Sequence, residues 1–279
     1  MEYIHHLIGL LPFEFFTYTF MQNALIGILL LAPLFALPGC VVVDSHMAYF
    51  SDAIGHAALT GIAIGVIAGA TNPFWIMILF AAFLALVLSI LRKYGTAATD
   101  TLIGIIMSGA TAFGIVILSR GGGFTKFSRY LIGDILSLTN QDLLLVLGGL
   151  LLFLILWSLF SNRLFLIGFN RPIAASRGQN IWLQETLFSI FIAVIVTASV
   201  QWIGVLVINS FLILPAAAAR NIAGSLRSYS LMSMAIALLS GLCGIILSYY
   251  TSTAAGAAIV LVLLSIYIVT LITRQIRAR

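Results

Sequence analysis

Asp52 and His56 stand four residues apart in the run "SDAIGHAALTG", residues 51–61, and almost everything around them is apolar. On a helix, residues i and i+4 share one face, about 6 Å apart along the axis. Carboxylate oxygen and imidazole nitrogen both ligate zinc, manganese and iron. The same two groups also suit a proton relay, or a structural pair at a wet helix end. A carboxylate near the middle of a bilayer costs about 2.5–3.5 kcal/mol on insertion scales, so something must offset it. A divalent cation would. Two ligands hold it weakly, and the rest of its shell must come from other helices, a partner subunit or water. Weak holding suits an ion in passage, because a tight site would trap it.

The segment that carries the pair continues "IAIGVIAGA" and is long enough to span a membrane. Ala53, Ala57, Gly61, Gly65 and Gly69 recur along it every four residues. Small residues at that spacing let helices approach closely. The stripe lies one residue step from Asp52 and His56, which turns the polar pair toward a helix interface rather than toward lipid.

The whole chain has the same character. Of its 279 residues 62% are hydrophobic and 8% are charged, against about a quarter charged in soluble domains, so it reads as an integral membrane protein. Apolar runs predict an all-α, polytopic bundle of about nine spans, near 17–38, 47–69, 74–91, 101–119, 141–160, 183–200, 202–221, 229–250 and 254–273. The seventh has the weakest boundary, and eight spans is the alternative. One membrane domain is expected to fill residues 1–279, with a short interfacial or re-entrant helix in "YLIGDILSL". No cleavable signal peptide is expected, because the start lacks a basic region. With the C-terminus cytoplasmic and the N-terminus outside, only Arg120, Lys126 and Arg129 of the thirteen Lys and Arg fall outside. The net charge of +5 therefore bears on orientation, not on nucleic acid.

Other polar positions have plainer readings beside the chemical ones. Asn209 and Ser210 precede Pro215 in the seventh span. They can supply oxygen ligands or make interhelical hydrogen bonds, and Pro215 predicts a kink. Asp134 can guide a cation or contact an external partner. Asp100 and Asp142 read as helix N-terminal charges. Asp44 and His46 can form an exit site, with Asp44 as a helix cap the simpler reading. His5 and His6 form a pair at the terminus and read as solvated. Cys40 and Cys243 read as packing residues. The "GGG" at Gly121–Gly123 lacks the Lys-Ser/Thr of a phosphate loop, and no Walker motif occurs.

In order along the chain, "SDAIGHAALTGIAIG", "TDTLIGIIMSGATAFGIVILS", "YLIGDILSLTNQDL", "IGVLVINSFLILPAAAARNIAGSL" and "LSYYTSTAAGAAIVLV" resemble segments of the permease subunits of bacterial zinc, manganese and iron ABC importers. The resemblance covers roughly residues 25–270. It departs where that family often has Ser (here Gly55), Pro (here Thr60), and basic residues (here "VVVDSHM"). It implies a large-importer permease fold in the cytoplasmic membrane, working as a homodimer. A separate cytoplasmic ATPase and an extracytoplasmic metal-binding protein are its implied partners, lipid surrounds it, and no nucleic acid is involved. The cargo is a divalent metal ion and no cofactor is permanently bound. The resemblance makes Asp52 and His56 pathway contacts. It makes "ARNIAGSLRS", residues 219–228, the helix that couples to the ATPase, through Arg220, Asn221, Gly224, Ser225 and Arg227.

Three other functions compete. A stand-alone proton-coupled cation carrier would often show inverted repeats, and no convincing repeat is found. A siderophore or metal-chelate permease has little use for an Asp–His pair. An intramembrane protease would need GxSG or HExxH, and neither occurs.

Overall fold

The computed structural model describes residues 14–70, 72–120 and 133–277. Among these residues eight helices are long and apolar enough to cross a membrane. They are α1 (Thr19–Asp44), α2 (Phe50–Ile67), α3 (Phe74–Tyr94), α4 (Thr99–Arg120), α5 (Asn140–Phe169), α7 (Ile181–Ile222), α8 (Leu226–Thr251) and α9 (Ala255–Arg277). A six-residue helix, α6 (Arg171–Ser176), precedes α7, and 3-10 turns cover Glu14–Thr17 and Ile135–Ser137. The all-α reading holds.

The difference between eight and nine spans lies in α7. Its 42 residues take in both expected spans 183–200 and 202–221. A straight helix of that length would run about 63 Å, twice the hydrocarbon thickness. It is not straight: Gly204, at φ 76° and ψ 159°, interrupts the helical backbone. Side-chain-bearing residues rarely adopt that conformation, which is why glycine stands at the break. Gly133 is also at positive φ and lies against it, so that a Cβ on Gly133 would fall 2.0 Å from the Gly204 amide nitrogen.

Contacts fall into two compact units, each drawn from separated stretches of chain. One holds Met1–Cys40, Asp134–Trp157 and Ser210–Arg279. In it α8 packs on α9, where a Cβ on Gly244 would lie 2.5 Å from the Ile259 Cα. Two side chains there bond to main-chain carbonyls inside the protein, as lipid favours. The Asn23 amide donates to the Leu138 carbonyl at 2.9 Å, and the Ser233 hydroxyl to the Ala36 carbonyl at 3.0 Å.

The other unit holds Val41–Gly133 and Ser158–Asn209. Here α2 packs against α3 and α4. The small-residue stripe does what its spacing predicts: Ala53, Ala57, Gly61 and Gly65 are all buried. A Cβ on Gly61 would lie 2.6 Å from the Met77 Cα, and one on Gly65 2.8 Å from the Pro73 Cβ. The stripe's last member differs. The helix stops at Ile67, and left-handed Gly69 closes it, with the Ala70 N–H donating to the Gly65 carbonyl at 3.0 Å. That 6→1 bond is a Schellman ending. Across the α2–α4 contact the Thr60 hydroxyl donates to the Ala110 carbonyl.

Several expectations change. Asp44 is the last residue of α1, not a cap on the next helix; α2 begins after Tyr49 with no side-chain cap. His46 sits between the helices at φ 54°. Cys40 is buried, but Cys243 is exposed, so the packing role holds only for the first. The expected helix in "YLIGDILSL" is a 3-10 turn at Ile135–Ser137 among the described residues. Asp100 and Asp142 do lie in the first turns of α4 and α5, and Asp142 accepts from the Thr139 N–H at 3.0 Å. His5, His6 and Gly121–Gly123 lie outside the described residues.

Candidate metal-ion pathway site

The site is built where α2 runs beside the stretch of α7 that follows Gly204. Gly55 makes the approach close: a Cβ there would meet the Val205 Cγ1 at 2.7 Å. Three residues earlier on α2 and four later on α7, Asp52 meets Asn209. The two stretches therefore run antiparallel. The Asn209 amide Nδ2 donates to Asp52 Oδ1 at 2.6 Å. The same oxygen lies 3.5 Å from His56 Nε2, so the i,i+4 spacing brings carboxylate and imidazole together as predicted.

This oxygen is the centre of the cluster. A charged acceptor makes a short, strong hydrogen bond, which offsets part of the cost of placing Asp52 in an apolar helix. The side chains of Asp52 and His56 remain 32% and 35% exposed. No third His, Cys, Asp or Glu joins them among the described residues. The nearest further donor is Asn209 itself. Its amino group is committed to Asp52, and its carbonyl Oδ1 is buried without a hydrogen-bond partner. Carboxylate oxygen, imidazole nitrogen and amide oxygen are together a donor set of intermediate softness, suited to first-row divalent ions.

Of the other predicted candidates, Ser210 and Asp134 belong to the other unit. The Asp134 carboxylate accepts the Leu136 N–H at 3.0 Å and caps the 3-10 turn. The proposed coupling segment comprises the end of α7, a turn, and the start of α8. Ser225 caps α8, accepting from the Ser228 N–H at 3.2 Å. Asn221 is held inside its unit by Thr270 and Arg274, each at 3.3 Å. Arg220, Gly224, Ser225 and Arg227 are exposed.

Sequence reading passed over Glu185. It lies one turn inside α7, where Arg171 grips both its oxygens at 2.5 and 2.6 Å and Arg92 stands 3.8 Å away. A carboxylate within an apolar run was the available signal. The Asn209–Asp52 bond joins residues 157 apart and left no local trace.

Replacing Asn209 with leucine is expected to weaken apparent metal affinity by roughly 10–100-fold, as losing a group that orients a ligand does. The concentration dependence of uptake measures this. An unchanged half-saturation would remove Asn209 from the site.

The chain matches the ABC 3 transport family over residues 17–274 and belongs to that family. It is 30% identical over 250 residues to the manganese import system permease protein ScaB of Streptococcus gordonii, covering 90% of each chain. It is also 30% identical to the high-affinity zinc uptake system membrane protein ZnuB of Haemophilus influenzae, over 88% of this chain and 93% of that one. Among solved structures, PsaBC from Streptococcus pneumoniae in complex with Fab is similar, with a TM-score of 0.78 and 27% identity. That match covers 97% of this chain and 95% of the other. The fold is that of an ABC-transporter permease, and the protein crosses the membrane several times.

Proposed function

We propose that this chain is the permease subunit of an ATP-driven importer of divalent first-row transition-metal ions, acting as one membrane domain and carrying no enzyme chemistry of its own. The Asp52–His56–Asn209 cluster carries the reading. It gathers oxygen and nitrogen donors on two antiparallel helices of a chain whose relatives are named for manganese and zinc import. Asp52 and His56 meet the ion, and Asn209 orients Asp52. The remaining coordination comes from water or from a second copy of the chain.

A separate cytoplasmic subunit hydrolyses ATP and seats against the turn between α7 and α8, whose exposed Arg220, Gly224, Ser225 and Arg227 form the contact. An extracytoplasmic binding protein delivers the metal on the other side of the cytoplasmic membrane. The excess of Lys and Arg on one side supports a cytoplasmic C-terminus. ATP binding and hydrolysis by that subunit switch the pathway between outward- and inward-open forms.

Reconstitution of permease, ATPase and binding protein in proteoliposomes tests this. Radiolabelled manganese, zinc or iron is expected to accumulate only with ATP on the ATPase side. Equal accumulation driven by a proton gradient without the ATPase would establish the stand-alone carrier instead. Competition among the three metals names the cargo.

A further inference from the structure

A second polar site lies in the unit that carries Asp52, among the residues that the cargo reading does not use. A pocket of about 270 Å³ is lined by Arg92, Lys93, Thr99, Arg171, Trp182 and Glu185, with Ser89, Ala97 and Ile181 completing it. Three cations there face a single carboxylate. That carboxylate is engaged, since Glu185 is clamped by Arg171 and approached by Arg92. Lys93 has no carboxylate within ion-pair distance among the described residues. Its ammonium lies over the rings of Trp182, at 4.4 Å, and Tyr94, at 5.2 Å. The pocket thus retains an excess of positive charge with an exposed cation at its edge.

Two helix starts lie at the pocket, that of α4 carrying Asp100 in its first turn and that of α7 capped by Asn180, which accepts from the Leu183 N–H at 3.2 Å. Thr99 opens α4 and Ile181 opens α7, and both line the pocket. Helix N-termini favour anions, and an oxyanion would complement these groups and the basic side chains together. The wall is rigid where it matters. The Trp182 indole N–H donates to the Ser89 carbonyl at 3.3 Å, and the Ser89 and Thr186 hydroxyls bond each other.

The surroundings distinguish a lipid from a free anion. Arg92, Lys93 and Tyr94 end an apolar spanning helix, and Trp182 begins another, which is the arrangement of a bilayer interface. On α3, Leu86 and Ile90 share a face with Lys93, one and two turns inward. They are 38% and 41% exposed, two apolar positions on the lipid-facing side leading away from the ammonium. A free phosphate has no use for such positions; an acyl chain does.

We propose that this pocket binds the phosphate of an anionic phospholipid, held by Lys93 and Arg171, with an acyl chain along Leu86 and Ile90. Basic pockets between membrane helices are known to take such headgroups. The proposal stands independently of which ion the protein carries.

The test uses the full chain, purified in detergent and stripped of lipid, with native mass spectrometry as the readout. Phosphatidylglycerol is expected to stay bound where phosphatidylcholine dissociates, and excess inorganic phosphate is expected not to displace it. Lys93→Gln should weaken phosphatidylglycerol binding by about fivefold, the contribution of one basic residue at a membrane surface, and Lys93→Arg should retain it. Equal retention of both lipids would overturn the proposal, as would displacement by inorganic phosphate, which would mark a free-anion site. Phosphatidylglycerol binding unchanged in Lys93→Gln would overturn it too, and a concurrent loss of ATPase co-purification would assign the pocket to that partner. The lipid and phosphate comparisons use the unmodified protein, so they decide the matter even if a variant fails to fold.

Discussion

Alanine at Asp52 or at His56 is expected to abolish metal uptake while the protein still inserts and assembles. The magnitudes separate the two outcomes. Removing the Asp52 carboxylate leaves the Asn209 amino group, 2.6 Å away in the wild type, without its acceptor. An orphaned donor costs about 1–3 kcal/mol. The substitution also removes a charge whose placement in an apolar helix costs about 2.5–3.5 kcal/mol. These terms nearly cancel, so the folded amount should change little, and the loss should fall on transport. Asp52→Asn sharpens the test, because the amide oxygen can still accept from Asn209 but carries no charge for a cation. It too is expected to lose uptake. The measurement is metal accumulation in cells lacking other importers, with co-purification of the ATPase as the control for assembly. Near-normal uptake by both alanine variants would take these residues out of the pathway.

Valine at Gly133 is expected to have the largest effect on stability. A Cβ there would stand 2.0 Å from the Gly204 nitrogen, 2.4 Å from the Ile203 carbonyl carbon and 2.6 Å from the Gly204 Cα, so it meets main chain rather than a side chain that could swing away. Gly133 is also at φ 51°, which a β-branched residue tolerates badly. Backbone strain of about 1–3 kcal/mol and overpacking of a similar size act together. That sum approaches the whole stability of many proteins. The amount of monodisperse protein extracted from membranes, and its melting temperature in detergent, should fall sharply. A valine variant as stable as the wild type would show that the two segments do not touch.

Much of this architecture is legible from local pattern. Apolar runs mark the helices because each must match the bilayer by itself. The Asp52–His56 proximity follows from helical spacing alone, as does burial of the stripe from Ala53 to Gly65. What could not be read depends on which helix lies beside which. The antiparallel contact of Gly55 with Val205, and hence the bond from Asn209 to Asp52, is a tertiary outcome with no periodic signature. Hydropathy divided α7 into two spans near residue 201, and the break at Gly204 explains why. The two expected spans correspond to the two helical segments that meet at Gly204. Glu185 was passed over because its partners stand on other helices, Arg171 on α6 and Arg92, 93 residues away, on α3.

The contacts of Gly61 and Gly65 have a mechanical consequence. The Met77 main chain of α3 and the Pro73 ring just before it occupy the space where side chains on α2 would otherwise stand, and the turn between the helices starts from a closed Schellman ending. A joint of that kind has almost no compliance: twisting α2 about its own axis would drive its backbone into Met77. The α2–α3 hairpin therefore behaves as a lever rather than a hinge. Asp52 and His56 lie toward the other end of α2 from these contacts, and compliance has to be sought elsewhere in the chain.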